Sequence, residues 1–272
     1  MPGLQKRTEL TTILAKVIYC VVANFYIGDI HGQLSLLDKL LDNISPSSSD
    51  KLVFLGDYVD RGPQILELVD RLCELQDSNI GTEFLIGNHE LLFFEYLGYQ
   101  EPMKALGSRF VQARQKHSAV ARFKPLYASQ GVGGGDTLQQ YFGTNPPDAA
   151  LIPDRHRRFF ESLQLWSRQG NDLLAVHAGV STNPAYTTID EVLAGSDLMS
   201  DILWSRECAR GSWNGPSWNF TLVIGHTAQS DGLVKRKGNI ILADANAATG
   251  MDLAAWSPEK GVTYALKSPH FI

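Results

Sequence analysis

Three segments near the start of the chain concentrate residues able to do chemistry: Gly28-Asp29-Ile30-His31-Gly32, Gly56-Asp57-Tyr58-Val59-Asp60-Arg61-Gly62 and Gly87-Asn88-His89-Glu90. Their Asp, His and Asn side chains offer the oxygen and nitrogen donors that hold divalent metal ions. A carboxylate has two oxygens, so one aspartate can be shared by two such ions. Glycines beside each cluster let the backbone turn sharply and bring short side chains close to an ion. Two later segments, Val176-His177-Ala178-Gly179 and Ile224-Gly225-His226-Thr227, add one histidine each, so four of the seven histidines fall in such clusters. Together they predict a binuclear metal site.

Each cluster needs an element to deliver it, and each follows an apolar run. Phe25-Tyr26-Ile27, Leu52-Val53-Phe54-Leu55 and Glu83-Phe84-Leu85-Ile86 read as buried parallel strands, with Leu173 to Val176, Leu222 to Ile224 and Ile240 to Ala243 as later ones. In open α/β sheets ligands bind at the carboxyl ends of strands, where these clusters lie. Leu34, Leu36, Leu37, Leu40, Leu41 and Ile44 form a helical stripe, ended by Ser45 to Ser49. Pro63 opens a second helix with Ile65, Leu66, Leu68, Val69, Leu72 and Leu75 inward. Strand, cluster and helix thus repeat three times in a βαβ rhythm.

Further along, Leu91 to about Tyr127 reads as helical and mixed in charge, with Arg109, Arg114, Lys116, His117, Arg122 and Lys124. The run Gly131 to Thr137 lacks the Gly-Lys-Ser/Thr ending of a phosphate-binding P-loop. It predicts a tight turn before a helix Leu138 to Phe142, capped by Asp136 or Thr137. Pro153-Asp154 opens an amphipathic helix with Phe159, Phe160 and Leu163 on one face. Leu165-Trp166-Ser167 and Leu173 to Val176 flank Gln169 to Asp172 as a hairpin would.

With 272 residues and 44% apolar content, the chain can bury one large core. Charged residues make up 19% and the net charge is −5, so neither a nucleic-acid surface nor a polybasic membrane contact is indicated. Cys20, Cys73 and Cys208 are an odd set without paired spacing, which points to a reducing compartment. Lys6 and Arg7 before Ile13 to Val22 partly resemble a signal peptide, with Val21-Val22-Ala23 as its cleavage site. Lys16 interrupts that run, and it is too short to span a membrane. We therefore expect residues 1–21 to be an extension and 22–272 one catalytic domain, in a soluble, cytoplasmic, monomeric protein. Within that domain, 98–150 is expected to be a mainly helical segment that shapes a substrate groove.

The ordered set Gly-Asp-Ile-His-Gly, Gly-Asp-Tyr-Val-Asp-Arg-Gly, Gly-Asn-His-Glu, His-Ala-Gly and Gly-His-Thr resembles the phosphoprotein phosphatase family of metallophosphoesterases, over about Phe25 to Gly250. The segment Ile202-Leu203-Trp204-Ser205-Arg206-Glu207 is most similar to the bacterial and bacteriophage lambda phosphatase-like branch. The resemblance implies a single-domain α/β calcineurin-like fold, two mixed β-sheets sandwiched between helices. It implies that Asp29 and His31 bind one metal, that Asp57 bridges both, and that Asn88, His177 and His226 complete the second. Arg61 and Arg206 would grip the phosphate, with Asn88 beside them. His89 would be the general acid, oriented by Asp60. The implied cofactors are two divalent ions, Mn²⁺ foremost, with Fe or Zn able to use the same donors.

These residue types suit the chemistry. Two ions sharing Asp57 lower the pKa of a water between them and so supply a nucleophile at neutral pH. The two guanidiniums offer the bidentate geometry that phosphate prefers. A serine or threonine alkoxide leaves poorly, so protonation by His89 contributes a factor of about 10²–10⁴. The expected activity is serine/threonine protein phosphatase, acting on a phosphorylated protein or peptide. The nearest rival is a symmetrical dinucleoside tetraphosphatase, but that group typically has alanine where this chain has Asp60. A phosphotyrosine-directed enzyme is another rival, and a catalytically silent metal-binding protein is disfavoured because no expected residue is missing.

Other candidates have plainer readings. Glu90 either supports the metal shell or is a helix-start acid, and Asp244 either supports the shell or sits in a turn. Trp204, Trp213 and Trp218 are expected in the core, with groove lining as the alternative. Cys208 is expected to pack, with a free-thiol role as the alternative. His117, His156 and His270 lack a partner pattern and are expected at the surface. His-Ala-Gly at 177–179 and Ala243-Asp244-Ala245-Asn246-Ala247 depart from the eukaryotic branch, which usually has His-Gly-Gly and Ser-Ala-Pro-Asn-Tyr there. Regulatory-subunit and toxin binding of the eukaryotic kind is therefore not implied.

Overall fold

Alternation along the strands decides the architecture. In β1 (Asn24–Ile27), Phe25 and Ile27 face one apolar cluster while Tyr26 faces another. The same division holds in β2 (Lys51–Phe54), β5 (Leu173–Val176), β6 (Thr221–Ile224) and β8 (Ile240–Leu242). Strands apolar on both faces must be covered on both. Tyr26, Val53, Leu173, Ala175, Val223 and Ile241 meet in the layer between two sheets. The outer faces pack under helices, among them α1 (Leu34–Ile44) and α2 (Ile65–Gln76), whose buried stripes follow the predicted ones except that Leu34, Ile44 and Leu66 are half-buried and α2 begins two residues after Pro63.

The computed structural model describes residues 22–210 and 218–267. The expectations placed on residues 1–21, with Cys20, and on Trp213 and His270 lie outside them. Each sheet has five strands and is mixed. In the first the order is β10 (Gly261–Tyr264), β9 (Ala254–Ser257), β1, β2 and β3 (Gly81–Phe84). β1, β2 and β3 are parallel, with Tyr26 opposite Val53 and Val53 opposite Glu83, while β9 joins β1 antiparallel. The second runs β4 (Trp166–Gln169), β5, β6, β8 and β7 (Lys235–Lys237). The predicted hairpin is β4–β5, antiparallel with Trp166 opposite Val176, and β5, β6 and β8 are parallel.

α3 (Asn88–Leu97) begins just past the end of β3. Beyond it come α4 (Glu101–Ala105), α5 (Ser108–Lys116), α6 (Ser118–Phe123) and α7 (Gly134–Phe142), so the stretch after residue 98 is largely helical. α8 (Asp154–Glu161) buries Phe159 and Phe160. The expected start of α7 is corrected: it begins at Gly134 without a side-chain cap, because the Thr137 hydroxyl is used elsewhere. Among the described residues no helix is long and apolar enough to cross a membrane.

Candidate metal centre

Asp29, His31, Asp57, His177 and His226 each sit just beyond a strand, and Asn88 sits at the start of α3. The backbone there is unusual. Five of the seven described non-glycine residues with positive φ are His31, Asp57, Asp60, Arg61 and His226. Such residues persist only where the surroundings over-determine them, and they gather at functional sites. Glu90 is one such constraint. Its Oε2 accepts the N–H groups of Asp57 and Gly87, both at 2.9 Å. Its Oε1 accepts those of Tyr58 at 2.8 Å and Val59 at 3.1 Å. Glu90 therefore starts α3 and also holds the Asp57 loop, which unites its two expected roles. Gly87 must be glycine, since a Cβ there would overlap the Asp57 carboxylate.

The donors converge. Asp57 Oδ2 lies 3.6 Å from His31 Nε2, and its Oδ1 lies 3.5 Å from His177 Nε2. Donor atoms of Asp57, His177 and His226 lie within 4.8 Å of one another, as do those of His31, Asp57 and His89. His31 Nδ1 donates to the Val59 carbonyl and His177 Nδ1 to the Leu55 carbonyl, each at 2.8 Å. These contacts fix the tautomer and turn both Nε2 lone pairs inward. Burial keeps the imidazoles neutral: His31 is pushed down to about 3, and His177 and His226 are lowered as well. Burial would raise Asp57, but in acid, where the imidazoles around it take up protons, their charge, that of His177 and His89 foremost, holds it well below the usual carboxylate range.

The contact between His177 Nε2 and Asn88 Oδ1, at 3.0 Å, tests the fit of a metal. With Nδ1 donating to Leu55, the neutral ring presents a lone pair to an amide oxygen, and Asp57 Oδ1 presents a third acceptor. Acceptors facing one another in a buried pocket repel unless a cation lies between them. The donor set therefore fits divalent ions on both sides of Asp57. Asp29 stands at the edge of this group, where both carboxylate oxygens take the His226 N–H at 3.0 Å. Burial and the neighbouring Asp244 carboxyl raise its pKa. Asp244 is itself buried and lines the same cavity, and its Oδ1 also accepts the Asn246 N–H at 2.9 Å, as a turn residue does.

A second group adjoins the first. Asp60 is fully buried, and its Oδ2 accepts the His89 Nδ1–H at 2.6 Å. Its Oδ1 accepts the Tyr127 hydroxyl at 2.6 Å and the Thr137 hydroxyl at 2.5 Å. Burial would lower His89, but Asp57 and then Asp60 raise it above the usual histidine value. Arg61 donates to His89 Nε2 at 2.9 Å and to His31 Nε2 at 3.2 Å. Arg206 donates to the His226 carbonyl at 3.1 Å. Sequence reasoning did not single out Tyr127 or assign Thr137 to Asp60. No local spacing announces them, and only the fold brings them there.

Asp29, His31, Asp57, Asn88, His226, His89, Arg61 and Arg206 line a cavity of about 450 Å³, together with Leu92, Phe123, Val132 and Trp204. Trp204 thus lines the groove while also packing against the core, so both of its expected placements are present, and His117 is stacked on it at 5.4 Å. Trp218 is in the core beside Phe220. Cys208 is buried, and burial pushes its thiol up to about 11, as suits a packing residue. His156 is corrected: it is buried, with Tyr141 on Nδ1 at 2.9 Å and Asp70 on Nε2 at 3.0 Å.

A family model described as calcineurin-like phosphoesterase matches residues 25–256. The symmetrical bis(5'-nucleosyl)-tetraphosphatase of Acidovorax ebreus (strain TPSY) is 31% identical over 203 residues, 71% of this chain and 53% of that protein. Serine/threonine-protein phosphatase 2B catalytic subunit A1 of Saccharomyces cerevisiae is 36% identical over 89 residues, 32% of this chain and 15% of that one. This chain therefore spans about half the length of the first relative and less of the second. A solved protein serine/threonine phosphatase from Saccharomyces cerevisiae, with similarity to human phosphatase PP5, shares the fold. It covers 92% of this chain and 81% of its own at TM-score 0.55 and 17% identity. The matched range holds both sheets' strand-end clusters and the Asp60–His89 pair, and the chain belongs to the calcineurin-like phosphoesterase family.

Proposed function

We propose that the chain is a metal-dependent phosphomonoesterase acting on serine or threonine phosphates of proteins or peptides. The observation that carries this reading is the buried Asp60–His89 pair at 2.6 Å. An alkoxide leaving group needs a proton, and a carboxylate-oriented imidazole is the group that delivers one. Divalent ions held by Asp29, His31, Asp57, Asn88, His177 and His226 would supply Lewis-acid activation of a water, with Mn²⁺ as the proposed activating ion. Arg61 and Arg206 would take the phosphoryl oxygens. Arg61 donors that now rest on His31 and His89 would turn to the phosphate, which frees the lone pair of His89 Nε2 to take up a proton from solvent and carry it toward the leaving oxygen.

The tetraphosphatase relative supports a second reading, hydrolysis of a dinucleoside tetraphosphate. Parallel assays of a phosphoserine peptide, a phosphotyrosine peptide and diadenosine tetraphosphate, with and without Mn²⁺, Fe²⁺ or Zn²⁺, separate the two. We expect the phosphoserine peptide to dominate with Mn²⁺. A dominant rate on the dinucleotide overturns the proposal, and p-nitrophenyl phosphate untouched under every metal sinks the enzyme reading altogether.

A further inference from the structure

We propose that Tyr127 and Thr137 are positioning residues: they hold Asp60 so that it aims the His89 ring at the leaving oxygen. This inference rests on the acid role of His89 proposed above. Asp60 and Arg61 are consecutive non-glycine residues with φ of 72° and 67°. A left-handed pair of this kind springs back unless its surroundings hold it. Thr137 holds it twice. Its Oγ1 accepts the Asp60 N–H at 2.9 Å and donates to Asp60 Oδ1 at 2.5 Å, so one hydroxyl ties the backbone and the side chain of the same residue.

Tyr127 donates to the same Oδ1 from another direction at 2.6 Å. With two hydroxyls on Oδ1, the carboxylate cannot rotate away, and Oδ2 stays on His89 Nδ1. Asp60, Tyr127 and Thr137 are each fully buried, so no water competes for these bonds. The backbone between them is fitted to the task. Gly134 donates its N–H to the Tyr127 carbonyl at 3.0 Å, and a Cβ at Gly134 would come within 2.5 Å of the Tyr127 ring and carbonyl. The Arg61 N–H donates to the Gly133 carbonyl at 3.1 Å. The glycine run therefore serves to seat Tyr127 and Thr137 against the acid pair.

A leaving-group comparison tests this with the full chain and excess Mn²⁺. A phosphoserine peptide needs its leaving oxygen protonated, whereas p-nitrophenolate departs without help. In Tyr127→Phe and Thr137→Val, the ratio of peptide kcat to p-nitrophenyl phosphate kcat should fall about tenfold, with KM held within about threefold. Thr137→Ser keeps the hydroxyl and should restore most of the ratio. Without turnover, the far-downfield proton resonance of His89 Nδ1–H should exchange with solvent faster in the first two variants. Equal losses on both substrates, an unchanged ratio or an unchanged resonance overturns the proposal. His89→Asn separates the two layers. If it leaves the ratio unchanged, the acid reading itself fails; if it lowers the ratio while Tyr127→Phe and Thr137→Val do not, the positioning role alone fails.

Discussion

In the expected ligand group, Asp29, His31, Asp57, His177 and His226 leave the ends of strands, and Asn88 opens the helix behind β3. In the group beside it, Asp60 meets Tyr127 and Thr137 from 67 and 77 residues away. The ligand side is assembled by the sheets, whose parallel registers bring consecutive strand ends together. The acid side is assembled by side-chain hydrogen bonds from the helical stretch between the sheets. Damage to the first should abolish activity on every substrate. Damage to the second should be selective, felt most where the leaving group is poor.

The largest expected effect lies at the shared ligand. Asp57→Asn should remove hydrolysis of both phosphoserine peptide and p-nitrophenyl phosphate, and bound metal measured by elemental analysis should fall; a variant keeping both rates would break the comparison. Next comes His89→Asn, for which we expect a loss of about 10²–10⁴ on the peptide and a much smaller one on the aryl ester. Comparable losses on both esters would erase the distinction between the sides.

Glu90→Gln probes the ligand side through stability. An amide has one acceptor oxygen, so part of the cradle of four N–H groups would face an NH₂ group. The expected cost is about 2–3 kcal/mol in urea unfolding, and a change within error would show that the loop holds itself.

The smallest effect is a shift in pH dependence. His89 is raised above its usual value, so its proton is present at lower pH and is lost as pH rises through that raised value. Asp60→Asn removes one of the charges that raise it. The alkaline limb of kcat on the peptide should then move to lower pH. A limb that stays in place or moves upward would assign it to another group.

Legibility followed the same division. Asp29, His31, Asp57 and Asn88 could be read because glycine, a short donor and an apolar run occupy neighbouring positions in sequence. β1, β2, β5, β6 and β8 were legible because both of their faces are apolar, and the stripes of α1 and α2 repeat at helical spacing. β3 lies at Gly81–Phe84 and not at the expected Glu83 to Ile86, and β7, β9 and β10 carry no run of Val, Ile, Leu or Phe to announce them. The Thr137 cap expectation failed because its hydroxyl is engaged by Asp60, a partner no local pattern reveals. His156 failed as a surface residue for the same reason, since Tyr141 and Asp70 come to it across the packing of helices. Trp204 carries no periodic signal to say which side of a wall it faces.

The sequence by itself determined the donor types, their order along the chain and the strands that end in them, because these depend on covalent neighbours and on the period of side chains along a strand. The tertiary structure decided which acceptors face one another across Asp57, and that Asp60 is clamped by Tyr127 and Thr137. Such contacts join residues remote in sequence, and they exist only once the sheets and helices have packed and excluded water.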